Sequence, residues 1–311
     1  MFYGKGNNFK KDPFEDRADK RSVFYYFFEK GYDIGFEMYL VMGFEKYLGK
    51  LEFVRPLLFH RNKNEFKSLD EKIKADAVLD RSGGTTFPPE DISNKVLNGR
   101  RFKLLCWDKI SMYEYLSGFC PESYGVRSIS EFKNKLTFFN DNKLVVLKPA
   151  RGMKGKGIKI NSPRKIAQIK NINFNSGWVL QKFIDTSDGI PGLVKGTHDL
   201  RIAIVNGKIV FSHIRQPAAG SKIANVAQGG SIDELSISDI PKSIARVAKK
   251  IMAMIDKDFD KPLYSIDFGI GEKGPVVFEI NDTIGFPSSR MANSKKFIAE
   301  TLRALGLRAN R

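Results

Sequence analysis

Cysteine and histidine are scarce in this chain: Cys106 and Cys120, with His60, His198 and His213, are all that 311 residues contain. There is no CxxC pair, no cysteine–histidine spacing that would build a zinc site, and no HExxH pattern. Two thiols make no disulfide framework, and a reducing, cytoplasmic setting is expected. Long apolar runs are missing as well. The run Val23 to Phe28 is too short for a signal-peptide core or a membrane span, so neither export nor a membrane partner is expected. No internal repeat and no low-complexity linker divides the chain.

What is present is an ordinary globular composition, 42% hydrophobic and 28% charged, in a chain long enough to bury a substantial core. A formal charge of +17 would draw phosphates, acidic peptides, nucleic acid or anionic lipid. The basic residues are spread along the whole length, so a lysine-rich composition accounts for them as well as a polyanion partner does. No nucleic-acid-binding motif accompanies them, and a nucleic-acid partner is disfavoured.

Periodicity divides the chain. Residues 1–20 are polar and without period, and read as a loosely ordered lead-in. From Ser22, VFYYFF reads as a strand, GFEMYLVMGFEKYL as a helix and LEFVRPLLFH as a strand, a βαβ pattern that predicts a parallel sheet in a small α/β domain. Residues 76–80 read as a further strand ending in a loop at Arg81 to Gly84. A helix is expected from Lys109 towards Pro121, a buried strand over 144–150, further strands over 178–184, 199–205 and 208–214, and helices over 240–255 and 294–305.

The densest chemistry lies near the C-terminal end. In VVFEIN, Glu279 and Asn281 share one strand face, and Gly269, Gly271 and Gly274 suggest a turn that returns the strand YSIDF antiparallel to it, bringing Asp267 alongside. Three hard oxygen donors suit magnesium, whereas a polar strand end facing water is the plain alternative. Upstream, LVVLKPA enters a loop whose Gly152, Gly155 and Gly157 could close backbone amides over phosphates. It is not a GxxxxGK[ST] loop, because Ile158 and a strand follow, and a hairpin turn with solvated lysines is the competing account. Lys148, inside the apolar strand, needs an anionic partner, and a phosphate would serve. Lys109 opens a helix, where a solvated lysine is as good a reading. The strand through Gln181, Lys182, Phe183 and Ile184 could present its backbone to an adenine edge or be ordinary core. Asp199 and Arg201 share a face, Arg215 ends the partner strand, and a guanidinium there could stabilise developing charge or merely pair at the surface. Asn225 sits in a polar, glycine-containing loop that could face an anion. His198 and His213 read as fillers near the pocket.

Taken in order, LVVLKPARGMKGKGI, WVLQKFI, HDLRIAIVNGKIV, IRQPAAGSKIANVAQGG, and YSIDFGI followed by VVFEIN resemble the ATP-grasp superfamily, most closely its carboxylate-amine ligases such as ribosomal-protein glutamate ligases and glutathione synthetases. The resemblance runs from about Leu105 to Leu305. It implies an α/β (α+β) ATP-grasp fold: a pre-ATP-grasp α/β domain over 21–104, a lid subdomain over 105–180 and a C-terminal subdomain with the metal site over 181–311. It implies ATP with two magnesium ions, or manganese, and a peptide-bond-forming ligase working through an acyl-phosphate. Lys109 and Lys148 match the phosphate lysines, Gly152 to Gly157 the flap, Gln181 to Ile184 the adenine hinge, Asp199 a nucleotide-binding acid, and Asp267, Glu279 and Asn281 the metal ligands. Arg201 matches the family arginine, and Arg215 and Asn225 match residues near the reacting groups. Lys182 departs from the pattern, since the hinge often begins with an acidic residue. The expected partners are a small carboxylate and an amine, or an acidic peptide; a homo-oligomer is allowed. The rival reading is an ATP-grasp nucleotide- or polyanion-binding protein without ligase activity.

Overall fold

The structure is a computed structural model that describes residues 1–4, 6, 12–15, 18–83, 93–152, 155–221 and 229–311. The N-terminal region contains β1 (Phe2–Tyr3), α1 (Ala18–Asp33), β2 (Tyr39–Met42), β3 (Tyr47–Gly49), β4 (Glu52–Val54), β5 (Leu57–His60), β6 (Glu65–Ser68), β7 (Lys72–Lys74), β8 (Val78–Leu79) and β9 (Val96–Leu97). Two of its elements reverse the sequence expectation. VFYYFF lies inside α1, because Val23, Phe24, Phe27 and Phe28 recur at helical spacing and are all buried, although their residue types favour strands. The expected helix GFEMYLVMGFEKYL instead forms β2 and β3, parted at Gly43, whose φ of 110° no helix accommodates. The expected parallel sheet is corrected with them: in the order β1-β2-β5-β6 only β1 and β2 run parallel. The lead-in is partly built into the core, through Phe2, Tyr3 and Phe14.

Next come α2 (Arg100–Trp107), α3 (Lys109–Tyr115), β10 (Ser123–Val126), α4 (Ile129–Leu136), β11 (Val145–Pro149), β12 (Lys159–Asn161), α5 (Pro163–Ile166) and β13 (Trp178–Lys182). Their antiparallel sheet, ordered β10-β13-β11-β12, has its own core with α4 and α5 around Val126, Phe132, Val145, Leu147, Ile166 and Leu180. The chain closes with β14 (Asp199–Val205), β15 (Lys208–Gln216), β16 (Ser231–Leu235), α6 (Lys242–Asp258), β17 (Leu263–Gly271), β18 (Gly274–Asn281) and α7 (Ser294–Ala309). These strands form an antiparallel sheet ordered β16-β15-β14-β17-β18.

Helices cover both faces of that larger sheet. On one side α6 buries Ile244, Ala248, Ile251 and Ile255, spaced four, three and four apart, in a core shared with α2 and α3. On the other, Ala203, Val205, Val210 and Phe211 meet α1 and α7, so the aromatic helix α1 packs against the larger sheet. Among the described residues no helix is long and apolar enough to cross a membrane.

Candidate active site

The two antiparallel sheets face each other across a cavity of about 450 Å³. The smaller sheet and its loops bring Lys148, Gly152, Gly155, Gln181, Lys182, Phe183 and Ile184 to it, and α3 brings Lys109. The larger sheet brings Asp199, Arg201, Arg215, Asp267, Glu279 and Asn281. The structure therefore gathers these sequence-selected positions around one space. Gly157 stands back from the wall; its φ of 80° and a would-be Cβ at 2.9 Å from Pro149 Cγ make it a turn residue. Asn225 lies outside the described residues.

Lys148 is buried on β11, and its ammonium donates to the Tyr113 hydroxyl and to Gln181 Oε1 at 2.9 Å. Burial pulls its pKa down to about 8, with Glu279 acting against the shift and Lys109 adding to it. Lys109 is set by its helix start. Asp108 caps α3 by accepting from the Ile110 amide at 3.0 Å, and the Lys109 amide donates to the Ala150 carbonyl at 2.9 Å. Its ammonium reaches the Gly152 carbonyl at 2.9 Å and Glu279 Oε1 at 2.9 Å, joining the glycine loop to β18.

The carboxylates stand where the hairpin puts them. Asp267 pairs directly with Glu279 across β17 and β18, and Asn281 follows on the same face. The register slips between Asp267 and Phe268, so Phe278 is an extra residue in β18, and a Cβ on Gly269 would sit 2.2 Å from its ring. Arg201 grips Asp267 with two bonds of 2.6 Å. Arg215 grips Asp199 at 2.6 and 2.7 Å and reaches Asp267 Oδ2 at 2.8 Å. Burial alone would raise the Asp267 pKa, but Arg201 and Arg215 outweigh it and hold the carboxyl well below the usual range. Burial pushes Asp199 up to about 6 against the pull of Arg215. These are buried ion pairs, not the surface pairs that were the alternative reading. His213, opposite Arg201, is driven down to about 3 by burial and by the two arginines, which leaves it neutral and fits the filler role; His198 does line the cavity.

Among the described residues no group of three or more His, Cys, Asp or Glu is arranged to hold a metal ion by itself. A cation here would be held by two carboxylates and the Asn281 carbonyl oxygen, since the Asn281 amide nitrogen already leans on Asp267 at 3.3 Å. That hard-oxygen set fits a magnesium ion that keeps water and phosphate in its remaining positions. At the expected hinge, the Lys182 and Phe183 amides are spent on the Glu122 and Leu144 carbonyls at 2.8 and 3.2 Å. The Gln181 side chain is spent on Lys148 and on Ser123. Two participants escaped sequence reasoning. Tyr113, four residues after Lys109 on the same helix face, offered a weak signal; the Phe278 bulge offered none.

The family model described as "Prokaryotic glutathione synthetase, ATP-grasp domain" matches residues 110–258, just under half of the chain. A probable alpha-L-glutamate ligase of Aeromonas salmonicida is 26% identical over 170 residues, 54% of this chain and 52% of that protein. One of Shewanella pealeana is 30% identical over 146 residues, 45% of this chain and 28% of that protein. The chain thus spans about half or less of the length of these relatives. Among solved structures, D-alanyl-alanine synthetase A of Vibrio cholerae superposes with a TM-score of 0.61 at 13% identity, over 100% of this chain and 98% of that one. The RimK domain ATP-grasp protein of Sphaerobacter thermophilus gives 0.55 at 13% identity, over 100% and 98%. At these identities the likeness is one of fold.

Proposed function

From the ATP-grasp fold of this chain, we propose that it is an ATP- and magnesium-dependent ligase that joins a carboxylate to an amine through an acyl-phosphate, releasing ADP and phosphate. One observation carries the reading: two buried ammonium groups, Lys109 and Lys148, share a single cavity with the oxygen donors Asp267, Glu279 and Asn281. Cations on one wall and metal-type ligands on the other suit a nucleoside triphosphate lying between them.

In this reading Lys109, Lys148 and the loop from Gly152 to Gly157 hold the phosphates, the segment Gln181 to Ile184 borders the base, and Asp199 serves the nucleotide. Asp267, Glu279 and Asn281 would hold the magnesium, two ions in this reading, or manganese. The metal, when bound, neutralises phosphate charge as it shifts toward the leaving ADP. The substrate carboxylate oxygen attacks the γ-phosphorus as the bond to ADP breaks. The amine, neutral at nitrogen, then attacks the acyl carbon, and the carbonyl oxygen takes up negative charge. Phosphate departs as that charge returns, the nitrogen giving up one proton to the departing phosphate or to solvent. Arg201 and Arg215, fixed by Asp199 and Asp267, present positive charge without reorganising. Asn225, outside the described residues, is assigned to the reacting groups by the family resemblance alone. Closing the glycine loop would exclude water, which would otherwise hydrolyse the acyl-phosphate.

The names of the sequence relatives make L-glutamate the first substrate to try, paired with amino acids and with acidic peptides. The test is magnesium-dependent ADP formation across such pairs, followed by product mass. A ligase gives a product one water lighter than the sum of its substrates. ATP binding without ADP release under every pairing would favour the binding-protein reading instead.

A further inference from the structure

Among the described residues no carboxylate touches the Lys148 ammonium, and its two partners are neutral oxygens. Each is locked by a further bond. The single phenol proton of Tyr113 goes to the Phe278 carbonyl at 2.6 Å, which turns an oxygen lone pair to Lys148. The Gln181 amide nitrogen donates to Ser123 Oγ at 2.7 Å, and that hydroxyl donates to the Pro121 carbonyl at 2.6 Å. An ammonium has three protons; among the described residues two are taken, and the third is left for an anion in the cavity that Lys148 lines.

The Phe278 carbonyl is available because Phe278 is the extra residue of a bulge in β18, the edge strand of the larger sheet. Helix α3 and the turn after it cover that edge. The Ile280 amide donates to Met112 Sδ at 3.2 Å and the Val277 amide to the Phe119 carbonyl at 2.8 Å. Tyr113 is thus the bond through which the ammonium on the smaller sheet and the edge strand of the larger sheet meet. Its ring lies against Lys148 as well, 4.7 Å from centroid to ammonium.

We propose that Tyr113 is a positioning residue for the nucleotide phosphates: its hydroxyl aims the Lys148 ammonium into the cleft and ties it to the bulge immediately before Glu279. The identity of the ligand rests on the ligase reading above; the linkage between the two sheets does not. The charged and titratable groups that bear on Lys148 are Glu279 from β18, Lys109 from α3 and Cys120 from the turn after α3. None of them replaces the phenol oxygen as an acceptor.

The test compares the full chain with its Tyr113→Phe variant, which keeps the buried ring. ATP affinity is measured by calorimetry with and without magnesium, from well below to well above pH 8. The variant is expected to bind ATP about tenfold more weakly, the loss of one hydrogen bond to a charged group. The pH above which affinity declines is expected to move about one unit lower, and KM for ATP to suffer more than kcat. A 3-fluorotyrosine at position 113, a weaker acceptor of nearly the same size, should shift the profile the same way by a smaller step and covers the case in which Tyr113→Phe fails to fold. A ring that only fills space would leave both profiles at wild type, and that result overturns the proposal. The two readings fail differently. A wild-type chain that binds no ATP overturns both, whereas equal binding and equal profiles in wild type and variants overturn only the role of Tyr113.

Discussion

Asp267 and Glu279 face each other directly across the hairpin of β17 and β18, yet each carboxylate already has cations of its own. Asp267 is held by Arg201 and Arg215, and Glu279 by Lys109. The two holds are unequal. Among the described residues Glu279 has one ion pair, and its side chain is 29% exposed, whereas the Asp267 side chain is 5% exposed beneath two guanidinium groups. An incoming divalent ion would therefore draw Glu279 away from Lys109 more easily than Asp267 from its arginines, and would free Lys109 for phosphate. Glu279→Gln is expected to lower magnesium-dependent ADP release by about a hundredfold through weakened metal affinity, while ATP binding without metal persists. A coupled ADP assay beside calorimetry checks both halves; undiminished turnover would remove Glu279 from the metal site.

The same inequality predicts stability. Asp267→Asn leaves Arg201, and one of the three Arg215 bonds, buried without a counter-charge, and is expected to cost about 3 kcal/mol. Glu279→Gln breaks a partly exposed pair and should cost under about 1 kcal/mol. Urea denaturation of the two variants without ligands compares them directly. Equal losses would mean that the arginine lattice contributes no more to folding than a surface pair.

Lys148 gives stability a pH dependence of fixed sign. Its folded pKa of about 8 lies below the unfolded value of 10.5, so between these the unfolded chain binds more protons and stability rises with pH. Below that window the protonated, buried ammonium penalises the fold by about 3 kcal/mol. Lys148→Met is expected to raise stability at neutral pH without ligand and to flatten the rise above pH 8, while weakening ATP binding. Denaturation midpoints at several pH values report this; a variant that keeps the wild-type slope would assign the titration elsewhere.

The features that sequence made legible share a local cause. Alternation along a strand placed Glu279 and Asn281 on one face, glycines announced the turn that brings Asp267 beside them, and a lone lysine in LVVLKP marked itself by the cost of burying it. What stayed hidden depends on partners far along the chain. Aromatic residues of α1 have strand-forming side chains, and they are helical because Phe24 and Phe27 pack on Phe286 with ring centroids 4.9 and 5.5 Å apart. The arginine lattice needed the register of β14 against both β15 and β17, and the Tyr113 bond spans 165 residues to a bulge that no residue type announces.

Asn98 shows how the N-terminal region is fastened to the site. It is buried just after β9 in the left-handed conformation, with φ at 73°, and its side chain makes three bonds to the far end of the chain. The Asn98 amide nitrogen donates to the Leu263 carbonyl at 2.7 Å and to the Asp282 carbonyl at 2.6 Å, while its oxygen accepts from the Leu263 amide at 2.7 Å. Leu263 begins β17 and Asp282 follows Asn281, so one side chain pins both strands that carry the carboxylates. Asn98→Ala leaves those backbone groups unpaired and forces a Cβ-bearing residue without a compensating side chain into left-handed backbone, a loss of about 3 kcal/mol or more. Asn98→Gly removes the same bonds but relieves the backbone, and should recover about 1 kcal/mol of it. Both variants should lower magnesium affinity along with stability, because the carboxylates lose a shared anchor. Should stability fall while magnesium binding stays at wild type, the side chain fastens the fold without setting the site.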